Sequence, residues 1–245
     1  MGGKSDKPLI VKGKRLDGRT AEEIRPISFK AGVIKNADGS CEFTCGETKA
    51  IAAVYGPKKV LPKHLEDSTR AYLKVHYNMA AFSTSDRCRP GPSRRSKEIS
   101  KVIKDALIPA ILMEKYPQTA IHVFIEIVNA NAGTRTAAIN AAAVALVDAG
   151  IEMRDIVTSV AAGKVENQVI VDLFQDEDNF GQADLPIAIM PRTEEITLLQ
   201  MDGDLSPTEL KTALNMCIKA AKTIAKAQRD AIITKYKKEQ KDEKQ

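Results

Sequence analysis

Apolar and polar residues alternate along several short segments of the chain. The alternation is clearest at residues 121–127, where every second residue is isoleucine or valine. A period of two residues places these side chains on one face of a β-strand, and Phe124 on the opposite face indicates that the strand is partly covered there too. The same criteria predict further strands at residues 27–34, 50–55, 71–79, 156–162, 169–174, 185–190 and 196–201.

Apolar residues at helical spacing predict three helices. The first covers residues 93–116, and the second is an alanine-rich run at residues 134–149 that Gly150 closes. The third extends from residue 207 to about residue 236, with Ser206 as the N-cap and Glu209 at the third position of a capping box. Strands at the start, with helices interleaved later, predict an α+β or layered α/β domain.

The composition is typical of a globular chain. Its 245 residues are 43% apolar and 28% charged, with a formal net charge of +5. The longest nearly apolar stretch, residues 137–147, is shorter than the roughly 18 residues that a membrane span requires. Residues 1–14 lack the apolar core of a signal peptide. We therefore expect a cytoplasmic protein without a membrane segment.

The four cysteines are expected to be reduced thiols, because they are too few to staple a fold of this length. Cys41 and Cys45 would share one strand face with Phe43. We favour a packing role over a zinc site for this pair, because the chain has no second cysteine pair.

Charge is unevenly distributed along the chain. Residues 86–104 carry seven basic and two acidic side chains, an excess as large as that of the whole chain. Residues 165–184 carry six acidic side chains and neither lysine nor arginine. The fold must therefore combine a positive segment with a negative one.

Two segments have features of phosphate-binding sites. Arg94 and Arg95 lie at the start of the first predicted helix, where their guanidinium groups add to the partial positive charge of the helix N-terminus. In the second segment, a strand leads through a glycine turn into a helix at Gly133, Thr134 and Arg135. Free N–H groups, a hydroxyl and a guanidinium there would form a small anion site. Each segment alone is also consistent with a solvated helix end.

An acidic segment at residues 176–184 lies between two predicted strands. We expect a glycine-containing loop whose carboxylates converge on Mg²⁺, or in which one carboxyl group with a raised pKa donates a proton. A solvated acidic hairpin is the alternative interpretation of this segment alone.

A basic loop follows the strand predicted at residues 50–55. It contains Lys58, Lys59, Lys63 and His64, and its charge suits a phosphate backbone. Lysine-rich loops are also common on protein surfaces, and this interpretation is slightly favoured when the loop is taken alone.

Two phosphate-binding segments and one acidic segment together indicate chemistry between two phosphate groups. If inorganic phosphate attacks an RNA phosphodiester, two anions must come within bonding distance, so arginines, helix-end amides and a metal ion must offset their repulsion. An acid must also protonate the leaving 3′-oxygen. The three segments contain each of these groups.

Several motifs occur in a recognisable order. They are RLDGR at 15–19, EIRP at 23–26, PGPSRRSKEIS at 90–100, AGTR at 132–135, AGI at 149–151, and the pair Glu177 and Asp178 followed by Asp184. This order closely resembles the RNase PH family. Within the family, EDNFG at 177–181 and LLQMDG at 198–203 resemble the catalytic subunits of archaeal exosome rings. The resemblance covers residues 9–236 and leaves an extension at 1–8 and a charged tail at 237–245.

The resemblance implies a fold and an activity. The fold would be an α+β domain with β-α-β-α layers, similar to the second domain of ribosomal protein S5. The activity would be that of a phosphorolytic 3′-to-5′ exoribonuclease, which uses inorganic phosphate as co-substrate and releases nucleoside diphosphates with the help of Mg²⁺. The same site would also add nucleotides to a 3′ end in the reverse reaction.

The resemblance also implies roles for individual residues. The ligands of the attacking phosphate would be Arg95, Gly133, Thr134 and Arg135. Catalysis would involve Arg95 together with Asp178 and Asp184, and the two aspartates would also hold the metal ion. Contacts with RNA would come from Arg94 near the 3′ end and from Lys63 where the RNA strand arrives.

The implied partners are single-stranded RNA 3′ ends, an inactive RNase PH-like paralogue that completes a six-membered ring as a trimer of heterodimers, and RNA-binding cap proteins. Two other family roles stay open, a non-catalytic RNA-binding ring subunit and a self-assembling trimmer of tRNA 3′ ends. One departure concerns Asn131, because the family usually has aspartate at this position. The change removes a negative charge beside the expected phosphate site.

Overall fold

A computed structural model describes residues 8–11 and 13–242. Its strands are β1 (Ile10–Val11), β2 (Lys14–Arg15), β3 (Ile27–Ala31), β4 (Gly39–Cys45), β5 (Thr48–Lys59), β6 (Tyr72–Met79), β7 (Thr119–Asn129), β8 (Thr158–Val165), β9 (Gln168–Val171), β10 (Ala183–Met190), β11 (Glu195–Leu199) and β12 (Asp202–Gly203). Its α-helices are α1 (Arg94–Leu107), α2 (Thr134–Asp148), α3 (Gln175–Phe180) and α4 (Pro207–Asp242). One-turn 3₁₀ helices lie at Lys63–Leu65, Ile108–Ala110 and Met113–Lys115.

The first sheet has five strands in the order β3-β4-β5-β7-β6. All neighbours are antiparallel except β6 and β7, which are parallel. The alternation predicted at residues 121–127 is confirmed, because the isoleucines and valine of β7 are buried and Phe124 on the other face is partly covered by Tyr55 and His76. Cys41, Phe43 and Cys45 share the buried face of β4, and all four cysteines are unpaired.

Helices α1 and α2 cover the inner face of this sheet. Nearly every side chain of α2 is buried, because the first sheet packs against one side of the helix and strands β8 and β10 pack against the other. The small alanine side chains of α2 permit a very close approach of β4 to this helix. A Cβ atom added to Gly39 of β4 would lie only 2.2 Å from the Ala149 backbone nitrogen, so glycine is required at that crossing.

Helix α1 ends at Leu107, and the prediction of one helix over residues 93–116 is therefore wrong at its C-terminal end. Pro109 is the physical reason, since it has no N–H to continue the α-helical hydrogen-bond ladder. The chain continues through the two 3₁₀ helices that follow.

The second sheet has the order β11-β10-β8-β9, with β12 paired to β10. One of its faces packs against the α1 and α2 layer, and the other packs against α4. The predicted capping box of α4 is confirmed, because the Ser206 N–H donates to the Glu209 carboxylate at 2.8 Å. The helix continues to Asp242, so its predicted end at about residue 236 is wrong.

The layers are thus the first sheet, helices α1 and α2, the second sheet, and helix α4. The predicted β-α-β-α fold is confirmed. Within the described ranges, we find no helix that combines the length and the apolar character needed to span a bilayer.

Candidate active site

A cavity of about 290 Å³ opens where the N-termini of α1 and α2 meet the start of β10. Six of the eight predicted site residues line it, namely Arg95, Gly133, Thr134, Arg135, Asp178 and Asp184. They come from the four elements α1, α2, α3 and β10, which belong to three segments far apart in the sequence. The structure therefore brings the basic, glycine-turn and acidic segments to one place.

The N-terminus of α2 forms one wall of the cavity. Strand β7 ends at Asn129, and the chain then turns through Ala132 and Gly133, both with positive φ angles. Gly133 is the N-cap residue at φ +63°, a left-handed conformation that glycine adopts without strain. The N–H groups of Thr134 and Arg135 have no acceptor within the helix, since intrahelical bonding starts only after the first turn. They are available to an anion in the cavity.

Two arginine side chains add positive charge at this wall. Arg95 is in the first turn of α1, whose N-cap Ser93 forms a capping box with Ser96. Arg135 is in the first turn of α2, and its Nε atom is buried without a hydrogen-bond partner among the described residues. A buried guanidinium N–H without a protein acceptor favours an anionic ligand at this position.

The acidic segment forms the opposite wall. The prediction of a loop over residues 176–184 is wrong in part, because residues 175–180 form the short helix α3. The Glu177 carboxylate accepts the Phe174 N–H at 3.0 Å and thereby caps the first turn of this helix. Asp178 lies in α3, whereas Asp184 is the second residue of β10.

The pKa values of both aspartates are raised. Burial, followed by the negative charge of Asp178, raises the pKa of Asp184 to about 7, although Arg135 opposes the shift. Burial also raises the pKa of Asp178, against the opposing charges of Arg95 and Arg135. A carboxyl group with a pKa near neutrality is suited to donate a proton at physiological pH.

The donor set at this wall also suits Mg²⁺. Across the described part of the chain, no three or more His, Cys, Asp or Glu side chains form a group that could hold a metal ion. Magnesium usually binds through one or two carboxylates, with water and substrate phosphate as the other ligands. Asp178 and Asp184 on one cavity wall fit this pattern, whereas a metal bound only by protein side chains does not.

A buried ion pair between Arg15 and Glu177 holds α3 in place. No role for this pair was predicted from the sequence. Arg15 is 3% exposed and Glu177 is fully buried. Arg15 Nε donates to Glu177 Oε1 at 2.7 Å, and its terminal nitrogens donate to Glu177 and to the carbonyls of Val171 and Asp172. This pair fixes the residue that precedes Asp178.

A second buried pair supports the glycine turn. Arg25 donates to the Asp172 carboxylate through Nε at 3.0 Å and through Nη2 at 2.7 Å. Its Nη1 atom donates to the Asn131 carbonyl at 2.5 Å. Arg15, Arg25 and Glu177 occur in the RLDGR, EIRP and EDNFG motifs, but no sequence pattern indicates which of them pair.

The other two predicted site residues do not line the cavity. Arg94 is exposed beside Arg95 on α1. Lys63 is exposed in the 3₁₀ helix Lys63–Leu65. The prediction of one basic loop from Lys58 onwards is wrong in part, because Lys58 and Lys59 are the last two residues of β5. Lys58 pairs with Asp38 at 3.4 Å and lies over the Tyr55 ring.

Comparison with known families places this geometry in context. Residues 23–152 match domain 1, and residues 155–220 match domain 2, of RNase PH, described as the 3′ exoribonuclease family. The chain belongs to the RNase PH family. This membership confirms the resemblance. The members of the family are exoribonucleases, enzymes that shorten RNA from the 3′ end.

Individual members of the RNase PH family are similar over most of the chain. The exosome complex component Rrp41 of Thermococcus onnurineus is 53% identical over 237 residues, which are 96% of this chain and 95% of that protein. Rrp41 of Pyrococcus furiosus is 55% identical over 224 residues, or 91% and 90% of the two chains. The crystal structure of rice Rrp46 matches with a TM-score of 0.80 at 25% identity and covers 88% of this chain and 98% of that one.

Proposed function

We propose that the chain is the catalytic subunit of an exosome ring in the cytoplasm, where it degrades RNA from the 3′ end with inorganic phosphate as the attacking group. The observation that carries this proposal is the convergence of Arg95, the Gly133–Arg135 turn and the two aspartates on one cavity. The high identity to the Rrp41 exosome components supports the assembly, because it extends over most of both chains.

Inorganic phosphate would bind at the N-terminus of α2. The N–H groups of Thr134 and Arg135, the Thr134 hydroxyl and the Arg135 and Arg95 guanidinium groups would surround its oxygens. This arrangement offsets the repulsion between the bound phosphate and the RNA phosphodiester, and it holds the attacking oxygen next to the phosphorus atom.

The reaction then forms one bond and breaks one. A phosphate oxygen attacks the phosphorus of the 3′-terminal nucleotide, and the bond from that phosphorus to the preceding 3′-oxygen breaks. Asp184, in its protonated form, would donate a proton to the leaving oxygen. The products are a nucleoside diphosphate and an RNA that is one nucleotide shorter with a free 3′-hydroxyl.

Mg²⁺ fits the site through Asp178 and Asp184, and when bound it would offset the charge that develops on the phosphate oxygens. The proton-donating and metal-binding roles of Asp184 are alternatives for the same carboxyl group at a given moment. Arg94 lies next to Arg95 on the exposed side of α1 and would hold the RNA backbone near the 3′ end.

We also propose that this chain alternates with an inactive RNase PH-like paralogue in a six-membered ring and that RNA-binding proteins cap the ring. The identity to the Rrp41 exosome complex components and the structural likeness to Rrp46 support RNase PH-like neighbours. Single-stranded RNA would reach the cavity past Lys63, which lies outside the cavity itself.

Activity of the purified chain tests the proposal. The chain, alone and together with its ring partner, is mixed with a 3′-overhanging RNA, Mg²⁺ and phosphate, and the released nucleotides are identified. We expect nucleoside diphosphates only when phosphate is present. If RNA binds but no nucleotide is released, either by the chain alone or by the chain with its ring partner, a non-catalytic ring subunit would be favoured instead.

Arg95→Ala should raise the phosphate concentration needed for half-maximal activity by about tenfold or more, because one charge-assisted contact to phosphate is lost. The RNA concentration dependence should change by less than about threefold. Steady-state titrations of phosphate and of RNA measure both effects. An unchanged phosphate titration would show that Arg95 does not bind the co-substrate.

Lys63→Ala should weaken the binding of long RNA by about three- to tenfold and leave very short RNA nearly unaffected, because only a long strand extends from the cavity to this lysine. Fluorescence anisotropy with RNAs of increasing length measures the difference. Lys58→Ala is the matched control, since Lys58 is already paired with Asp38. Equal losses on short and long RNA would place Lys63 away from the RNA path.

A further inference from the structure

Asn131 connects the phosphate-binding turn to the acidic helix. Its side-chain oxygen accepts the N–H of Gln175, the first residue of α3, at 3.0 Å. Its side-chain nitrogen donates to Glu47 Oε2 at 2.7 Å. Asn131 lies two positions before Gly133, and Gln175 lies three positions before Asp178. One side chain therefore links the two walls of the cavity.

The backbone of Asn131 is fixed as well. Its N–H donates to the Thr48 hydroxyl at 3.0 Å, and its carbonyl accepts Arg25 Nη1. Because the main chain is held, a change in the side chain of Asn131 would act on α3 and on Glu47 rather than on the turn itself. The N–H of Gln175 has no acceptor within its own helix, so the side-chain contact satisfies a group that is otherwise unpaired.

The chemistry of the contact requires an amide. The side chain must accept from a backbone N–H on one side and donate to a carboxylate on the other. Asparagine has both groups, whereas aspartate has only acceptors and would place a second negative charge against Glu47. Glu47 and Asn131 thus form a matched acceptor and donor pair.

We infer that Asn131 is a positioning residue that, paired with Glu47, sets the distance between the phosphate-binding turn and the helix that carries Asp178. This inference rests on the proposed phosphorolytic function of the same cavity. Asn131 does not line the cavity and has no direct part in the reaction. Its effect on catalysis passes through Gln175 to α3.

A set of variants that exchanges the amide and the carboxylate between positions 131 and 47 tests the pairing. Asn131→Asp should lower kcat/KM for phosphate by about tenfold, while the KM for RNA changes by less than about twofold. Glu47→Gln alone should stay within about twofold of the wild type, because its side-chain oxygen can still accept from Asn131. The double variant Glu47→Gln with Asn131→Asp should recover to within about threefold of the wild type, since glutamine then donates to aspartate.

A matched control separates the specific contact from a general effect of charge. Asp176→Asn in the Asn131→Asp background removes a carboxylate from the same short helix without restoring the hydrogen bond, and it should not recover activity. The defect of Asn131→Asp should also shrink at high salt, because Glu47 is exposed and the repulsion is screened. A merely structural contact would not respond to salt in this way.

The outcomes are distinct. Wild-type activity of Asn131→Asp, or equal recovery by Glu47→Gln and by Asp176→Asn, would overturn the inference. If the wild type releases no nucleoside diphosphate, the proposed function fails. Amide hydrogen exchange of α3 in the same variants would still test the pairing, because unchanged protection of the Gln175 N–H in Asn131→Asp would refute it without any turnover.

Discussion

Asp184→Asn is expected to slow phosphorolysis by at least about a thousandfold and to leave RNA affinity within about twofold of the wild type. Asparagine has nearly the same shape as aspartate, so the cavity keeps its form. It has no acidic proton for the leaving 3′-oxygen and no anionic oxygen for Mg²⁺. Single-turnover release of nucleoside diphosphates measures the chemical step, and fluorescence anisotropy measures RNA binding.

Asp176→Asn is the control for this variant, because it makes the same chemical change at an exposed position of α3 outside the cavity lining. We expect its activity to stay within about threefold of the wild type. Activity of Asp184→Asn within about tenfold of the wild type would remove Asp184 from both of its proposed roles.

The same substitution should make the folded chain more stable at alkaline pH. Burial raises the pKa of Asp184 to about 7, above its value in the unfolded chain, so the folded state resists ionisation of this group. This group therefore lowers stability as the pH rises from about 4 to about 7, and the cost persists at higher pH. Without Mg²⁺ or phosphate, Asp184→Asn should gain roughly 2 to 4 kcal/mol at about pH 8 and nothing near pH 4.

Urea unfolding at the two pH values measures this gain. A gain in stability together with a loss of activity would show that the site holds a strained ionisable group for function. Equal stability of variant and wild type at alkaline pH would indicate that Asp184 ionises normally in the free protein.

Arg15→Met is expected to lower the free energy of unfolding by about 3–5 kcal/mol, because it leaves the buried Glu177 carboxylate without its cationic partner. The carbonyls of Val171 and Asp172 each lose one donor in the same step. Equilibrium unfolding in urea measures the change. We expect the remaining folded protein to lose phosphorolysis more than RNA binding, since Glu177 caps the helix that carries Asp178.

Lys30→Met is the matched control, because Lys30 is exposed and its partner Glu42, at 3.4 Å, keeps a second ion pair with Lys49. Its effect on stability should be too small to resolve, since solvent screens exposed pairs. Replacing both Arg15 and Glu177 with apolar residues should recover part of the loss. A loss for Arg15→Met as small as that for Lys30→Met would contradict a structural role for the buried pair.

The regular parts of this fold can be predicted from the sequence because their signals are local. Alternation at residues 121–127 reports one buried face of β7, and Ser206 with Glu209 marks the start of α4. The candidate site could be predicted in part, because an arginine pair at a helix start and a Gly-Thr-Arg turn have the same chemistry wherever they occur. Family motifs then connected these segments.

The remaining features depend on contacts between distant parts of the chain. Arg15 and Glu177 are 162 positions apart, and nothing near either residue indicates that the other will neutralise it. Helix α3 is too short for a periodic signal and is held by its cap and by that ion pair. The role of Asn131 depends on Glu47, which lies 84 positions away in the turn between β4 and β5. The domain limits at residues 9 and 236 stay predictions.

The identity of the attacking group is the central claim, and isotope-labelled inorganic phosphate tests it most directly. The chain and its ring partner are incubated with RNA, Mg²⁺ and labelled phosphate, and the released nucleotides are separated and analysed. We predict nucleoside diphosphates with one label in the β-phosphate for every nucleotide released. Release of unlabelled nucleoside monophosphates would mean that water is the nucleophile, and it would contradict phosphate binding at the N-terminus of α2 as the basis of the reaction.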